Sequence, residues 1–294
     1  MSQRFVLLGH PVAHSLSPAI HQAAYRELAL PHRYELIDAA DETAVKAALA
    51  ELKAGRIAGS NVTVPWKKVA LALADRADAS AADVGAANTL VRAADGAIVA
   101  HNTDVRALAE ELRGLVGTVE RALVVGAGGA ALATVAAARL AGAREVGVTA
   151  RRFSAATERS SWPGADALSR LGATPLAWPV AGNEADELAR FAAGTKLVIQ
   201  ATSAGMHGAD PGEGVARLVP WALLPPGAGA YDLVYNPAET EFLRAASAAG
   251  VRARGGLGML VGQAALAFEI WFGQRAPREA MQRAAEAALA ARLR

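Results

Sequence analysis

Short apolar runs alternate with amphipathic stretches along most of the chain. Phe5–Leu8 is strand-like and is stopped by Gly9, His10 and Pro11. Ser17-Pro18 opens a helical stretch to about Leu28, with Pro18 suited to the first helical turn. Tyr34–Ile37 reads as strand, Glu42–Ala54 as a helix closed by Gly55, and Ile57–Val64 as strand, after which Pro65 starts another helix. Thr89–Val91 and Ala97–Val99 flank the hairpin signal Asp95-Gly96. From Arg121 the pattern changes. Leu123–Val125, Glu145–Thr149, Pro175–Ala177, Lys196–Gln200 and Ala230–Val234 are mostly apolar strands, with a helix over Ala130–Leu140. Such strands, separated by helices, predict a parallel sheet covered on both faces. After Asn236-Pro237 the chain reads as helix: Thr240–Ala249, Met259–Phe272 and Pro277–Leu293.

These elements predict an α/β protein of two α/β domains. One spans 1–102 and is joined through a linking helix, 103–120, to a second at 121–238. The helices of 239–294 must bury their apolar faces, and the first domain is one candidate to receive them. A length of 294 residues fits two domains of roughly 100–200 residues each.

Composition adds mainly exclusions. With 53% hydrophobic and 20% charged residues and a net charge of +2, the chain is globular and carries no basic stripe for nucleic acid. No cysteine is present, so disulfides, thiolate metal sites and cysteine nucleophiles are excluded. A reducing cytoplasm is the expected location. The uncharged stretch Ala122–Ala138 is too short to span a bilayer and is interrupted by glycines, so no membrane partner is expected. His10 and His14 have metal-ligand spacing, but Pro11 disfavours one helical face and no partner cluster accompanies them. No metal is expected, and there is no G-x-S-x-G elbow for a serine hydrolase.

Gly126-Ala127-Gly128-Gly129-Ala130-Ala131 follows a strand and opens a helix, as a G-x-G-x-x-A dinucleotide loop does. Gly126 permits the tight turn and Gly128 a close backbone approach to pyrophosphate. Ala131 is small enough to pack on the strand, and the helix N-terminus attracts the phosphates. An NAD site places an acid at the end of the next strand to hold the ribose 2′-hydroxyl. Glu145 begins that strand and lies at its wrong end. The far end reads Thr149-Ala150-Arg151-Arg152, two guanidiniums suited to a 2′-phosphate. Two solvated arginines would look the same in sequence, although the helix dipole disfavours them unless an anion offsets their charge.

Polar residues also cluster where strands end: Ser15 and Ser17; Asn61, Thr63 and Lys67; Asn88 and Thr89; Asn102, Thr103 and Asp104. A polyhydroxylated substrate with a carboxylate needs such a set. Lys67 falls in the first turn of a helix, where the dipole disfavours its ammonium form. Asp104 is a candidate to hold it. Lys68 beside it reads as ordinary surface.

Together these motifs resemble the shikimate dehydrogenase family. They are joined by Ala201-Thr202-Ser203-Ala204-Gly205-Met206, Asp232-Leu233-Val234-Tyr235-Asn236-Pro237 and Gly258-Met259-Leu260-Val261-Gly262-Gln263-Ala264. The resemblance implies a substrate domain completed by the C-terminal helices, a Rossmann-like NADP domain, and an active site in the cleft between them. It implies reversible NADPH-dependent reduction of 3-dehydroshikimate to shikimate, a step of aromatic amino acid (chorismate) biosynthesis. Lys67 and Asp104 would be catalytic. Ser15 and Ser17 would bind the substrate carboxylate, with Asn61, Thr63, Asn88, Asp104 and Gln263 on its hydroxyls and Tyr235 also facing it. Gly126, Ala127, Gly128, Gly129, Ala130, Ala150, Arg151, Arg152, Thr202, Ser203, Leu233 and Gly256 would line the NADP site. The chain departs from the family pattern at Trp66 (usually Phe), Val105-Arg106-Ala107 (usually with a Gly), Ala150-Arg151-Arg152 (usually Asn-Arg-Thr) and Gln200 (usually Asn). Two rivals stay open: a quinate/shikimate dehydrogenase using NAD or NADP, and a non-catalytic metabolite-binding regulator. The expected partners are small molecules only, with the chain a monomer or homodimer.

Overall fold

A computed structural model describes residues 2–153, 158, 161–162, 164–179 and 183–292. The chain divides into two compact units, Met1–Ala107 with Leu260–Arg294, and Leu108–Met259.

The first unit is built on a six-stranded sheet of β1 (Arg4–Gly9), β2 (Arg33–Asp38), β3 (Gly59–Val62), β4 (Arg76–Ala77), β5 (Thr89–Arg92) and β6 (Ile98–His101). The strand order is β2-β1-β3-β5-β6-β4. β1 pairs in parallel with β2 and β3, whereas β5 runs antiparallel to β3 and β6. The expected hairpin joins β5 and β6, with Gly96 at φ +87° and Ala93 N–H bonded to Ala97 O at 2.8 Å. Its helices are α1 (Ser17–Glu27), α2 (Glu42–Lys53), α3 (Lys67–Leu73), α4 (Ala79–Val84) and the start of α5 (Asp104–Val116). The short α4 and the two-residue β4 left no periodic signal. The helix expected from Pro65 begins two residues later, at Lys67.

Alternation along β1 sends side chains to both faces of this sheet. Val6 and Leu8 join Val45, Leu49 and Leu52 of α2 in one core. Phe5 meets an aromatic cluster on the other face: Tyr25, Trp271 and Phe272, with ring centroids 4.9–5.8 Å away. The last two come from α11 (Leu257–Phe272), and α12 (Arg278–Ala291) packs on α1. Leu293, the expected end of α12, lies outside the described residues. Gly59 must lack a side chain because a Cβ there would enter the Trp271 indole.

The second unit carries a sheet with every pairing parallel, in the order β12-β11-β10-β7-β8-β9. Its strands are β7 (Arg121–Val125), β8 (Glu145–Thr149), β9 (Thr174–Leu176), β10 (Leu197–Gln200), β11 (Gly229–Asp232) and β12 (Arg252–Gly255). The helices are the rest of α5, then α6 (Gly129–Leu140), α7 (Ala165–Arg170), α8 (Asn183–Ala192), α9 (Glu213–Leu218) and α10 (Glu241–Ala248).

Two expected boundaries move. The chain rejoins the first unit at Leu260, not at 239, because α10 packs beside β11 and β12 and β12 extends the second sheet. The sequence Arg-Ala-Arg-Gly hides β12, since an edge strand only partly buried lacks the apolar run of its neighbours. The stretch 103–120 is not a separate linker either. The boundary falls inside α5, after Ala107.

Candidate functional site

The polar motifs of the first unit converge at one edge of its sheet because of register. β1 and β3 are parallel, so the loops after Gly9 and Val62 leave from the same side. β5 starts there, with Asn61 opposite Thr89, and β6 ends there, with Thr89 opposite His101. Residues 10–17, 63–67, 88–89 and 102–104 therefore meet although they are distant in sequence.

Lys67 is the first residue of α3. The turn before it is anchored by the Trp66 indole, which donates to Ala39 O at 2.8 Å. Lys67 Nζ donates to Asp104 Oδ2 at 2.7 Å, with the lysine side chain 31% and the aspartate 13% exposed. The Asn-Thr-Asp motif divides the labour of holding this pair. Asn102 Oδ1 accepts from the N–H of Asp104 at 3.1 Å and caps the start of α5. Thr103 bonds both ends of the Asn88 amide. Asn88 Nδ2 donates to the second Asp104 oxygen at 2.8 Å. The carboxylate is thus gripped on both oxygens, which leaves the rest of the Lys67 ammonium for another acceptor.

Ser15 Oγ donates to Ser17 Oγ at 3.1 Å and accepts from the Ser17 N–H at the same distance. Thr63 is half-buried, with its methyl against Gly9, which has no room for a Cβ. Gln263 lies on α11 and donates to Leu260 O at 2.8 Å. Asn61 differs from its expected role. It is 3% exposed, accepts from Tyr34 at 2.8 Å, and donates to Asn88 O and Thr89 Oγ1 at 3.2 and 3.0 Å. Both hydrogens of its amide and one lone pair of its oxygen are engaged internally, so it supports the site and could offer a substrate hydroxyl only the second lone pair of Oδ1. Tyr235 belongs to the second unit, in the loop after β11.

That second unit forms a nucleotide cradle at the carboxyl ends of the neighbouring strands β7 and β10, at the reversal of strand order. Gly126, Ala127, Gly128, Ala150, Arg151, Arg152, Trp178, Thr202 and Val215 line a cavity of about 230 Å³. Gly126 sits at φ +124°, and a Cβ on it would lie 2.9 Å from Ala201 O. Nothing stands within 4 Å of a Cβ on Gly128 or Gly129, so the backbone there is open to a ligand. No side chain caps α6 and no acid occupies its first turn, which leaves its N–H groups and dipole for phosphate. These features fit a dinucleotide. Ser203, Leu233 and Gly256 do not line this cavity. Gly256 abuts the Leu233 carbonyl so closely that a Cβ could not be accommodated. Gln200 holds the adjoining turn, accepting from the Thr202 N–H and donating to Ala204 O at 2.8 Å.

Glu145 pairs with Arg121 at 2.6 Å at the start of its strand, away from the glycine loop. Arg151 and Arg152 stand at the cradle. Arg151 Nη1 bonds Asp210 at 2.9 Å and Arg152 bonds Ala127 O. Two lining residues were missed in sequence: Trp178, half-buried just after β9, and Val215 of α9. An aromatic residue just past the end of a parallel strand was the available signal for Trp178.

Asp232 anchors the loop that carries Tyr235. It is fully buried and accepts from Val234 N–H at 2.9 Å and Thr240 Oγ1 at 2.6 Å. Burial pushes its pKa up to about 6 from 3.8, outweighing both hydrogen bonds. Between those values the folded state keeps a proton that the unfolded state has released, so stability falls as pH rises through the window. The loss is about 3 kcal/mol. Asp232→Asn, a neutral side chain of the same shape that keeps an acceptor for Val234, should remove it. Chemical denaturation at pH 4, 5, 6 and 7 should show the variant gaining on the parent as pH rises. A constant difference would place the proton elsewhere.

An α/β unit with a glycine-loop cradle, accompanied by a lysine–aspartate pair, defines a dehydrogenase-class architecture. The chain belongs to the shikimate dehydrogenase family. Residues 7–90 match the shikimate dehydrogenase substrate binding domain and residues 256–286 the shikimate 5′-dehydrogenase C-terminal domain. Shikimate dehydrogenase (NADP(+)) of Symbiobacterium thermophilum is 38% identical, covering 96% of this chain and 93% of its own. That of Methylobacterium radiotolerans is 39% identical, covering 92% of each. The crystal structure of shikimate 5-dehydrogenase from Thermus thermophilus in complex with NADP(H) and shikimate aligns with a TM-score of 0.80 at 36% identity. It covers 97% of this chain and 99% of that one.

Proposed function

We propose that this chain catalyses the reversible, NADP-dependent interconversion of 3-dehydroshikimate and shikimate. The observation that carries the reading is the Lys67–Asp104 pair at 2.7 Å, held on its far side by Asn88. NADPH, when bound on the Gly126–Ala130 turn, supplies the hydride. The chain's own residues do the rest. Lys67 Nζ delivers a proton to the oxygen that becomes the hydroxyl, and takes it back in the reverse direction. Asp104 keeps the ammonium aimed and accepts from the substrate hydroxyl. Ser15 and Ser17 offer hydroxyls to the carboxylate, and Thr63 and Gln263 contribute to the hydroxyl contacts. The absence of cysteine suits a cytoplasmic setting, and among the described residues no helix is long and apolar enough to cross a membrane.

Arg151 and Arg152 are assigned to the 2′-phosphate. The exposed Arg151–Asp210 pair is weak and readily exchanged for a phosphate dianion. Initial velocities with shikimate and with quinate, each offered NADP and NAD, test the reading. Turnover confined to shikimate with NADP supports it. Comparable quinate or NAD turnover moves the chain to the quinate/shikimate rival, and no turnover with any pair favours the binding protein. In the double variant Arg151→Ala/Arg152→Ala, kcat/KM for NADP should fall by about 10–100-fold, and NAD should change little. Equal losses for both would remove the arginines from phosphate recognition.

A further inference from the structure

Behind the Lys67–Asp104 pair runs a buried file of hydrogen bonds that ends on a residue with no part in the reaction so far. Tyr34, on β2, is 2% exposed. Its hydroxyl donates to Asn61 Oδ1 at 2.8 Å. The sense of this bond is forced. Asn61 Nδ2 faces the Asn88 carbonyl, which can only accept, so Asn61 Oδ1 must be the end that receives Tyr34. Asn61 Nδ2 also donates to Thr89 Oγ1 at 3.0 Å, and that hydroxyl donates on to Asn88 Oδ1 at 3.0 Å. Asn88 is fixed in the same way. The Thr103 N–H points at its Oδ1 from 2.8 Å, so its Nδ2 is the end turned to Asp104, at 2.8 Å. Flipping either amide would set acceptor against acceptor.

The near end of the file is equally constrained. The Tyr34 ring stacks on buried His21, with centroids 4.2 Å apart and planes within 6°. Burial holds the phenol proton well above its usual range, so Tyr34 stays a donor. Buried polar groups with every partner satisfied hold a single geometry, and removing one donor strands the next acceptor.

We propose that Tyr34 is a positioning residue for the Lys67–Asp104 pair, acting through Asn61, Thr89 and Asn88. Loss of its hydroxyl leaves Asn61 Oδ1 buried without a donor, which lets that amide shift off its bonds to Thr89 and the Asn88 carbonyl and loosens Asn88 on Asp104. The cost falls on kcat more than on substrate affinity, since the hydroxyl reaches the pair through Asn61, Thr89 and Asn88 and ends on the carboxylate that aims Lys67. The inference rests on the catalytic reading of Lys67 and Asp104.

The test measures kcat and the shikimate dissociation constant for Tyr34→Phe, Thr89→Val and Thr89→Ser, each in the parent and in a Lys67→Ala background, with thermal melts to confirm folding. Tyr34→Phe should lower kcat about tenfold in the parent, with shikimate affinity held within about twofold. Thr89→Val should do the same, while Thr89→Ser, which restores the hydroxyl, should recover the rate. In Lys67→Ala the Tyr34 change should cost nothing further, because no pair remains to be positioned. An equal loss in both backgrounds would mean general loosening and overturn the proposal, as would an unchanged parent kcat. If Tyr34→Phe does not fold, the Thr89 pair decides alone: matching rates for Val and Ser overturn it. Lys67→Ala by itself reports on the underlying reading, since a near-parental rate there removes the catalytic pair whatever Tyr34 does.

Discussion

Replacing Lys67 by alanine is expected to lower turnover by roughly 10²–10⁴, the usual contribution of a positioned general acid–base. The proton that accompanies hydride transfer would then come from water, without a fixed donor. The fold should survive. Lys67 occupies the first position of α3, where alanine is at least as good a helix former, and its side chain is 31% exposed. Asp104 would lose one partner at 2.7 Å but keep Asn88 at 2.8 Å, so the site should stay assembled. Shikimate affinity, measured calorimetrically, should change only a few-fold, while kcat collapses in both directions. Stopped-flow single turnovers would place the loss on the chemical step. A variant within a few-fold of the parent rate would exclude Lys67 as the proton carrier.

Gly126→Ala is expected to weaken NADP(H) binding by about 30-fold, equivalent to about 2 kcal/mol. Two independent facts combine at this position. Its φ of +124° is a conformation that side chains rarely adopt, and the added Cβ would lie 2.9 Å from Ala201 O and from the Thr202 methyl. Relief requires the loop to move away from β10, which displaces the N–H groups of the α6 terminus that a pyrophosphate would use. Fluorescence titration with NADPH reads the effect without turnover. Shikimate affinity measured alone should be unaffected, because the residues assigned to it lie in the first unit apart from Tyr235. Gly128→Ala is the informative companion. Open space surrounds that Cβ, so any loss there reports directly on the ligand's approach and not on loop strain. Unaltered NADPH binding in Gly126→Ala would show that the cradle does not hold the pyrophosphate.

The two predictions differ in how their residues came to notice. The Gly126 loop is legible in sequence because its signal is local: an apolar strand, three glycines and an alanine-rich helix follow one another within twenty residues. The same holds for Arg151 and Arg152 at the end of the next strand, and for the exclusion of Glu145 at its beginning. Lys67 and Asp104 were legible as types and as motifs. Their 2.7 Å contact depends on β3, β5 and β6 bringing their ends to one edge.

Much of the support for the site was not legible. Asn61 has the composition of a ligand, an amide in a polar motif at a strand end, and sequence therefore assigned it to the substrate. Only the packing of β2, β3 and β5 reveals that Tyr34, Asn88 and Thr89 take up its amide. Arg151 meets Asp210 across 59 residues of chain, and Trp178 and Val215 reach the cradle from separate loops. The edge strand β12 escaped because its two arginines carry no apolar period, and with it went the correct point of return at Leu260.

What the sequence by itself determined was whatever depends on near neighbours: the order of most strands and helices, the glycine turn, the absence of thiol chemistry, and the identity of the charged pair. Periodicity and turn chemistry are short-range properties of the backbone, so they can be read along the chain. The tertiary structure alone decided which sheet each terminal element joins, which polar groups are spent on one another, and which remain free to act. Those outcomes follow from long-range burial and from pairing every buried donor with an acceptor, and no local pattern encodes them.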